Sequence, residues 1–146
     1  MTANGPPFRL TPRLDQENTF FWTSGADGKL RFLRCTDCRK FVHPPSPVCP
    51  VCLGTDLAPE AVSGRATVES FTVNEQQWVP GSEPYVIAWV AIVEQPDVRL
   101  TTNLVGVEED EVEIGMPVKV AFEKAGDEIY LPLFSPVSSP AKADAS

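Results

Sequence analysis

Strand-length runs of apolar residues recur at short spacing along this chain from residue 66 onward. In residues 117–123, Val118, Val120 and Phe122 fall on one face, with Lys119 and Glu123 on the other. Residues 85–94 are apolar on both faces: Val86, Ala88, Val90 and Ile92 on one, Ile87, Trp89 and Val93 on the other. Such a strand needs cover on both sides. An N-terminal helix, the cysteine-bearing segment or another subunit has to supply the outer cover. Further strand patterns occupy 66–74, 98–105 and 128–134, with Gly64, Gly81, Gly115, Gly126, Pro80, Pro84 and Pro96 as punctuation. An acidic stretch at 107–114, able to form one helical turn, separates the third and fourth strands. Five strands with a helical insertion at that point are the pattern of an OB-type barrel.

Upstream, residues 29–34 read as a strand leading into the first of two cysteine pairs. Asp15 can cap a short helix running to about Thr23, stopped by Ser24, Gly25 and Gly28. The consecutive aromatics Phe20, Phe21 and Trp22 span about 200° of helix surface, at ~100° per residue. One buried stripe cannot take all three. Either two pack on the chain's own core and the third is half covered, or the group anchors a partner protein. The organisation expected is an arm and short helix over 1–28, a metal ribbon over 29–60, a barrel over 61–134 and a disordered tail over 135–146. The fold class is mainly β.

Length and composition narrow the picture. A chain of 146 residues with fifteen prolines suits one compact unit, or two very small ones, and disfavours a helical bundle. Residues 1–59 carry seven bases and five acids, whereas 60–135 carry four bases and fourteen acids. A single-strand nucleic-acid groove needs positive charge and exposed aromatics on the barrel, so the acidic barrel argues against a nucleic-acid-binding module. No basic leader followed by an apolar run marks export, and no stretch is long enough to span a membrane. The cytoplasm is the expected compartment, where thiols stay reduced and are read first as metal ligands.

Cys35, Cys38, Cys49 and Cys52 form C-x2-C-x10-C-x2-C. Each tight pair directs two sulfurs at one ion, and ten intervening residues return the second pair opposite the first. The four thiolates suit zinc, with Zn–S distances of about 2.3 Å. Iron in a rubredoxin-type site uses the same ligands and would make the chain an electron carrier, an alternative that a colourless protein removes. Disulfides are disfavoured by the pairing. Four thiolates leave no open coordination position, so the metal's role is to fold a ribbon whose own core is too small.

Other chemistry is sparse. The single histidine, His43, precedes two prolines and reads as a surface residue or a neighbour of the metal site. Lys29, Arg31, Arg39 and Lys40 either offset the charge of the tetrathiolate or form an anion site, for instance for coenzyme A phosphates. Glu108, Glu109, Asp110, Glu111 and Glu113 read as a solvated turn rather than paired catalytic carboxylates. No catalytic residue is assigned.

The order of motifs resembles the family of rubredoxin-like zinc ribbon plus OB-fold proteins, long catalogued as a domain of unknown function. The elements are Phe21-Trp22, Gly28-Lys29-Leu30, the two cysteine pairs flanking Pro44-Pro45, Ser63-Gly64-Arg65-Ala66-Thr67-Val68, and Ser70-Phe71-Thr72-Val73. Pro84-Tyr85, Thr102-Asn103-Leu104, Ile114-Gly115-Met116-Pro117-Val118 and Leu131-Pro132-Leu133-Phe134 follow. Arg39 stands where knuckles of this type usually carry Gly. The resemblance implies a non-catalytic accessory subunit that stabilises a thiolase-fold dimer as a hetero-oligomer and helps hold the acyl-CoA. It implies a steroid side-chain aldolase or an acyl-CoA thiolase as partner, or a scaffold role between a thiolase and hydroxymethylglutaryl-CoA synthase. Phe20, Phe21, Trp22 and Trp89 are the expected partner contacts.

Overall fold

The computed structural model describes residues 10–77, 80–81 and 83–137. Residues 1–9, expected as an arm, and most of the expected tail, 138–146, lie outside this range. The described chain is mainly β: one short helix, a three-stranded ribbon bearing the cysteines and a closed five-stranded barrel.

Helix α1 (Thr19–Trp22) is a single turn, shorter than the sequence predicts, followed directly by a 3-10 turn over Ser24–Asp27. Asp15 does cap, but it caps a preceding turn: its Oδ1 accepts the Glu17 and Asn18 N–H groups at 2.9 and 2.8 Å. The residues available for the helix, Asn, Thr, two Phe, Trp and Thr, all have low helix propensity. Tertiary contact sustains one turn and no more. Gly25 lets the 3-10 turn lie flat on the barrel, since a Cβ there would sit 2.6 Å from Phe122 Cδ1 and 2.6 Å from Tyr130 Cβ.

The ribbon sheet has β1 (Arg31–Cys35) between β2 (Phe41–Val42) and β3 (Leu57–Ala61), both antiparallel to it. Strand β1 therefore begins two residues later than predicted, and Lys29 precedes it. Its carbonyl instead accepts the Ser24 hydroxyl.

The barrel follows at once, with β4 (Arg65–Asn74), β5 (Tyr85–Ile92), β6 (Arg99–Leu104), β7 (Pro117–Lys124) and β8 (Tyr130–Pro136) in the closed order β4-β5-β6-β8-β7. Strand β4 serves two neighbours, pairing with β5 along its length and with β7 over Arg65–Thr67. A register shift between Val68 and Ser70 bends it around the barrel. The predicted helical insertion is a 3-10 turn at Glu109–Glu111, between β6 and β7. Strand β8 runs through Ser135 and Pro136, past the predicted start of the tail.

A continuous core unites these parts. Phe21, Leu30, Phe32 and Phe41 belong to the same buried cluster as Val68, Val90, Ile92, Val118 and Phe134 from the barrel. The ribbon's separate cluster is small: Cys35, Val42 and Cys49, with Leu33, Cys38 and Leu57 against them. The inner face of β5 is fully used, with Val86, Ala88, Val90 and Ile92 all buried. On its outer face Ile87 is half-buried, whereas Trp89, and Val93 just past the strand's end, are each 51% exposed. Among the described residues, the outer cover that the sequence demands is thus only partly supplied.

Candidate metal centre and apolar face

The four cysteine sulfurs converge, all within 4.8 Å of one another. Cys35 Sγ lies 3.5 Å from Cys52 Sγ, and Cys38 Sγ lies 3.7 Å from Cys49 Sγ. A tetrahedral ion with Zn–S bonds of about 2.3 Å requires sulfur–sulfur edges of roughly 3.8 Å. The donor set and its spacing fit that ion. Each pair is followed by a residue in the left-handed region, Arg39 at φ 68° and Leu53 at φ 64°. The Arg39 and Leu53 N–H groups reach back to the Cys35 and Cys49 carbonyls at 3.0 and 2.9 Å. Arg39, the departure from the usual Gly, therefore adopts the knuckle turn at the cost of backbone strain.

Backbone amides point at the sulfurs: Val51 N–H to Cys49 Sγ and Gly54 N–H to Cys52 Sγ, both at 3.4 Å. The Cys52 N–H, helped by that of Val51, brings the Cys49 thiol down to about 7. The Gly54 N–H favours a thiolate at Cys52, but the Cys35 sulfur and its neighbours outweigh it and push that thiol up to about 12. A bound cation would displace the protons that Cys38 and Cys52 otherwise keep.

Three of the four expected cations, Arg31, Arg39 and Lys40, stand beside acids. Arg31 makes a two-point pair with Asp27, at 2.9 and 2.7 Å, and this bonding holds the Asp27 carboxyl down at about 2. Arg34 and Arg39 both reach Glu60, at 2.6 and 3.6 Å, and Lys40 lies 3.9 Å from Asp97. Lys29 is exposed ahead of the strand.

His43 departs from the surface reading. Its ring centroid lies 5.1 Å from that of Phe21 and 5.0 Å from that of Phe32, and its Nδ1 is buried without a hydrogen-bond partner. Burial brings its pKa down to about 4. The ring is a neutral wedge between α1 and β1.

The aromatic anchors divide as well. Phe21 is 3% exposed and belongs to the core, so it cannot reach a partner as the sequence reading allowed. Phe20 and Trp22 are half-buried against that core. Trp22 borders a largely apolar groove of about 330 Å³, with Leu10, Ile87, Thr101, Leu131 and Leu133. An adjoining hollow of about 230 Å³ shares Ile87 and Thr101 and reaches Phe71 and Trp89. Trp22 and Trp89 thus flank one apolar band across the outside of β5 and β6.

A four-cysteine ribbon packed on a closed five-strand barrel defines a metal-ribbon plus OB-fold protein. The chain belongs to the ChsH2 family: residues 22–58 match its rubredoxin-like zinc ribbon domain and residues 59–123 its C-terminal OB-fold domain. The subunit of a solved aldolase described as Ltp2-ChsH2(DUF35) is 37% identical and superposes with a TM-score of 0.77, covering 86% of this chain and 98% of that one. A DUF35-family protein of unknown function from Sulfolobus solfataricus, 16% identical with a TM-score of 0.55 over 80% of this chain and 82% of its own, shares the fold. Among curated relatives, a probable enoyl-CoA hydratase alpha subunit of Thermomonospora curvata is 37% identical over 88% of this chain. The 3-oxo-4,17-pregnadiene-20-carboxyl-CoA hydratase alpha subunit of Mycobacterium tuberculosis is 34% identical over 80%. The chain spans about 40% of the length of the first of these and 37% of the second. Among the described residues, no helix is long and apolar enough to cross a membrane.

Proposed function

We propose that this chain is a non-catalytic accessory subunit that docks on a thiolase-fold enzyme of acyl-CoA metabolism, forming a hetero-oligomer on its dimer. The observation that carries this reading is the likeness to the aldolase subunit, which extends over nearly all of that chain. The chain's own features agree with it. Its candidate ion site offers four thiolates and no open position for a substrate, and its one histidine is wedged between aromatic rings. The band between Trp22 and Trp89 is the surface we assign to the partner, because it leaves a large indole exposed beside an apolar groove.

The partner fitting this reading is an aldolase acting on steroid side-chain CoA thioesters, or an acyl-CoA thiolase. The bound ion is zinc, and the chain works in the cytoplasm. Contact with the acyl-CoA uses Lys29, the cation of the ribbon that stands exposed before β1. Co-expression of a thiolase-like enzyme from the same source with and without this chain tests the proposal. The enzyme should be more soluble, and active on its CoA thioester, only when the chain is present. Equal solubility and activity in both preparations overturn it.

A further inference from the structure

The four sulfurs are not equivalent towards solvent. Cys35 and Cys49 are fully buried, Cys38 is half-buried and Cys52 is exposed. Two sulfur–sulfur contacts cross from one knuckle to the other: Cys52 to Cys35 at 3.5 Å and Cys38 to Cys49 at 3.7 Å. Each contact therefore joins one accessible sulfur to one buried sulfur. A tetrathiolate with all corners buried is inert, whereas an open corner lets a small neutral oxidant reach one ligand. The surroundings favour neutral reagents, because the Asp37 carboxylate and Cys52 Sγ border the same small space beside Gly54.

We propose that the ribbon is a reversible, peroxide-sensitive site in which Cys52 is the sulfur attacked, Cys35 resolves it, and Cys38 with Cys49 forms the second disulfide. In the first step the Cys52 thiolate sulfur attacks one peroxide oxygen; the O–O bond breaks, hydroxide leaves and a sulfenic acid forms. The Cys35 thiolate then attacks that sulfur, the S–O bond breaks, a second hydroxide leaves and the Cys35–Cys52 bond forms. A second peroxide oxidises the remaining pair in the same way. The balance is four thiolates, two peroxides and four protons giving two disulfides and four waters. A bound ion would lose its four thiolate ligands without changing oxidation state, since a disulfide sulfur is a poor ligand. The distance each pair must close is about 1.5 Å, from contact to a bond of about 2.05 Å.

The test uses the zinc-loaded full chain and hydrogen peroxide. A sulfenic-acid trap present during early oxidation should label Cys52 before any other cysteine. Peptide mapping after two equivalents of peroxide should find Cys35–Cys52 and Cys38–Cys49, and a chromogenic chelator should report one zinc released per chain. Dithiothreitol with added zinc should restore all four thiols and the original circular dichroism. First labelling elsewhere, disulfides within Cys35–Cys38 or Cys49–Cys52, zinc retained after oxidation, or failure of dithiothreitol to restore the site each overturn the proposal. None of these readouts depends on a partner enzyme.

Discussion

The side-chain amide of Gln95 bonds both backbone groups of Phe41: its Oε1 accepts the Phe41 N–H at 2.8 Å and its Nε2 donates to the Phe41 carbonyl at 3.0 Å. A single side chain thus supplies the two hydrogen bonds that a neighbouring strand would give β2. The same turn places Glu94 on the Ser63 N–H at 2.7 Å and Asp97 near Lys40 at 3.9 Å. The β5–β6 turn therefore adds polar ties between ribbon and barrel to their shared core.

Removing that amide leaves two backbone groups of a buried residue unpaired. Gln95→Ala should cost about 2 kcal/mol, within the penalty for buried groups left without partners. Denaturant unfolding of the metal-loaded chain measures it, and the Phe41 amide should lose hydrogen-exchange protection. An unchanged midpoint with protection retained would show that the bonds are dispensable.

At Gly25 the barrel approaches too closely for any side chain. Gly25→Ala should lower stability by about 1–3 kcal/mol, the range for overpacking a well-filled contact. Gly126→Ala is the control, because a Cβ there meets nothing nearer than Ile129 Cβ at 3.9 Å. Thermal unfolding of the two variants should separate them.

His43 makes stability depend on pH with a definite sign. Its folded pKa, about 4, lies below the ordinary 6.5 because burial disfavours the imidazolium. As pH falls below 6.5 the unfolded chain takes up the proton first. The contribution is thus present above pH 6.5 and is lost as pH falls towards 4, amounting to about 3 kcal/mol at most. Thiolate protonation acts in the same direction, so the comparison is between the wild type and His43→Phe at each pH. The variant should lose less stability than the wild type between pH 6.5 and 4; parallel profiles would refute the assignment.

Docking and folding should come apart at two aromatics. Trp89→Ser changes an exposed position, so its effect on stability should stay within about 0.5 kcal/mol. Its affinity for the partner should fall by about tenfold or more, as for a central anchor. Phe21→Ala empties a core position and should cost about 3–5 kcal/mol of stability. Calorimetry of the isolated chain and titration with the partner together decide the matter.

Metal analysis of the pure protein should give one zinc per chain and no colour. Chelation should unfold the ribbon, since its own cluster is only three buried residues with three others packed against them. The structural ion is worth on the order of 10 kcal/mol to such a module. Cys49→Ser should behave like chelation, with loss of the β1–β3 amide protection. Bound metal below half an equivalent, together with an undisturbed Cys49→Ser variant, would remove the site from the fold's account.

What could be read in the sequence was local, and what could not depended on distant partners. The spacing of Cys35, Cys38, Cys49 and Cys52 carries its own geometry, and the alternation in β5 and β7 marks their buried faces. Asp15 was visible as a cap, but the poor helix formers behind it stop the helix after one turn. His43 looked like a surface residue because its cover comes from Phe21 and Phe32, on two other elements. Gln95 gave no signal, since its partner lies 54 positions away. Arg31, Arg39 and Lys40 looked available for an anion because only the fold reveals which of Asp27, Glu60 and Asp97 stands beside each.

The strand order also sets a timetable. Strand β6 meets β8 in parallel through one register pair, Leu104 with Phe134, and Phe134 is fully buried at the barrel's centre. On the ribosome the ribbon strands are complete once Ala61 has emerged. The barrel stays open-edged along β6 and β7 until its last strand arrives. The nascent chain therefore displays a metal-ready ribbon, its Phe32 and Phe41 not yet covered, ahead of an unfinished apolar barrel. That interval is when a chaperone or a co-translated partner has the most surface to hold.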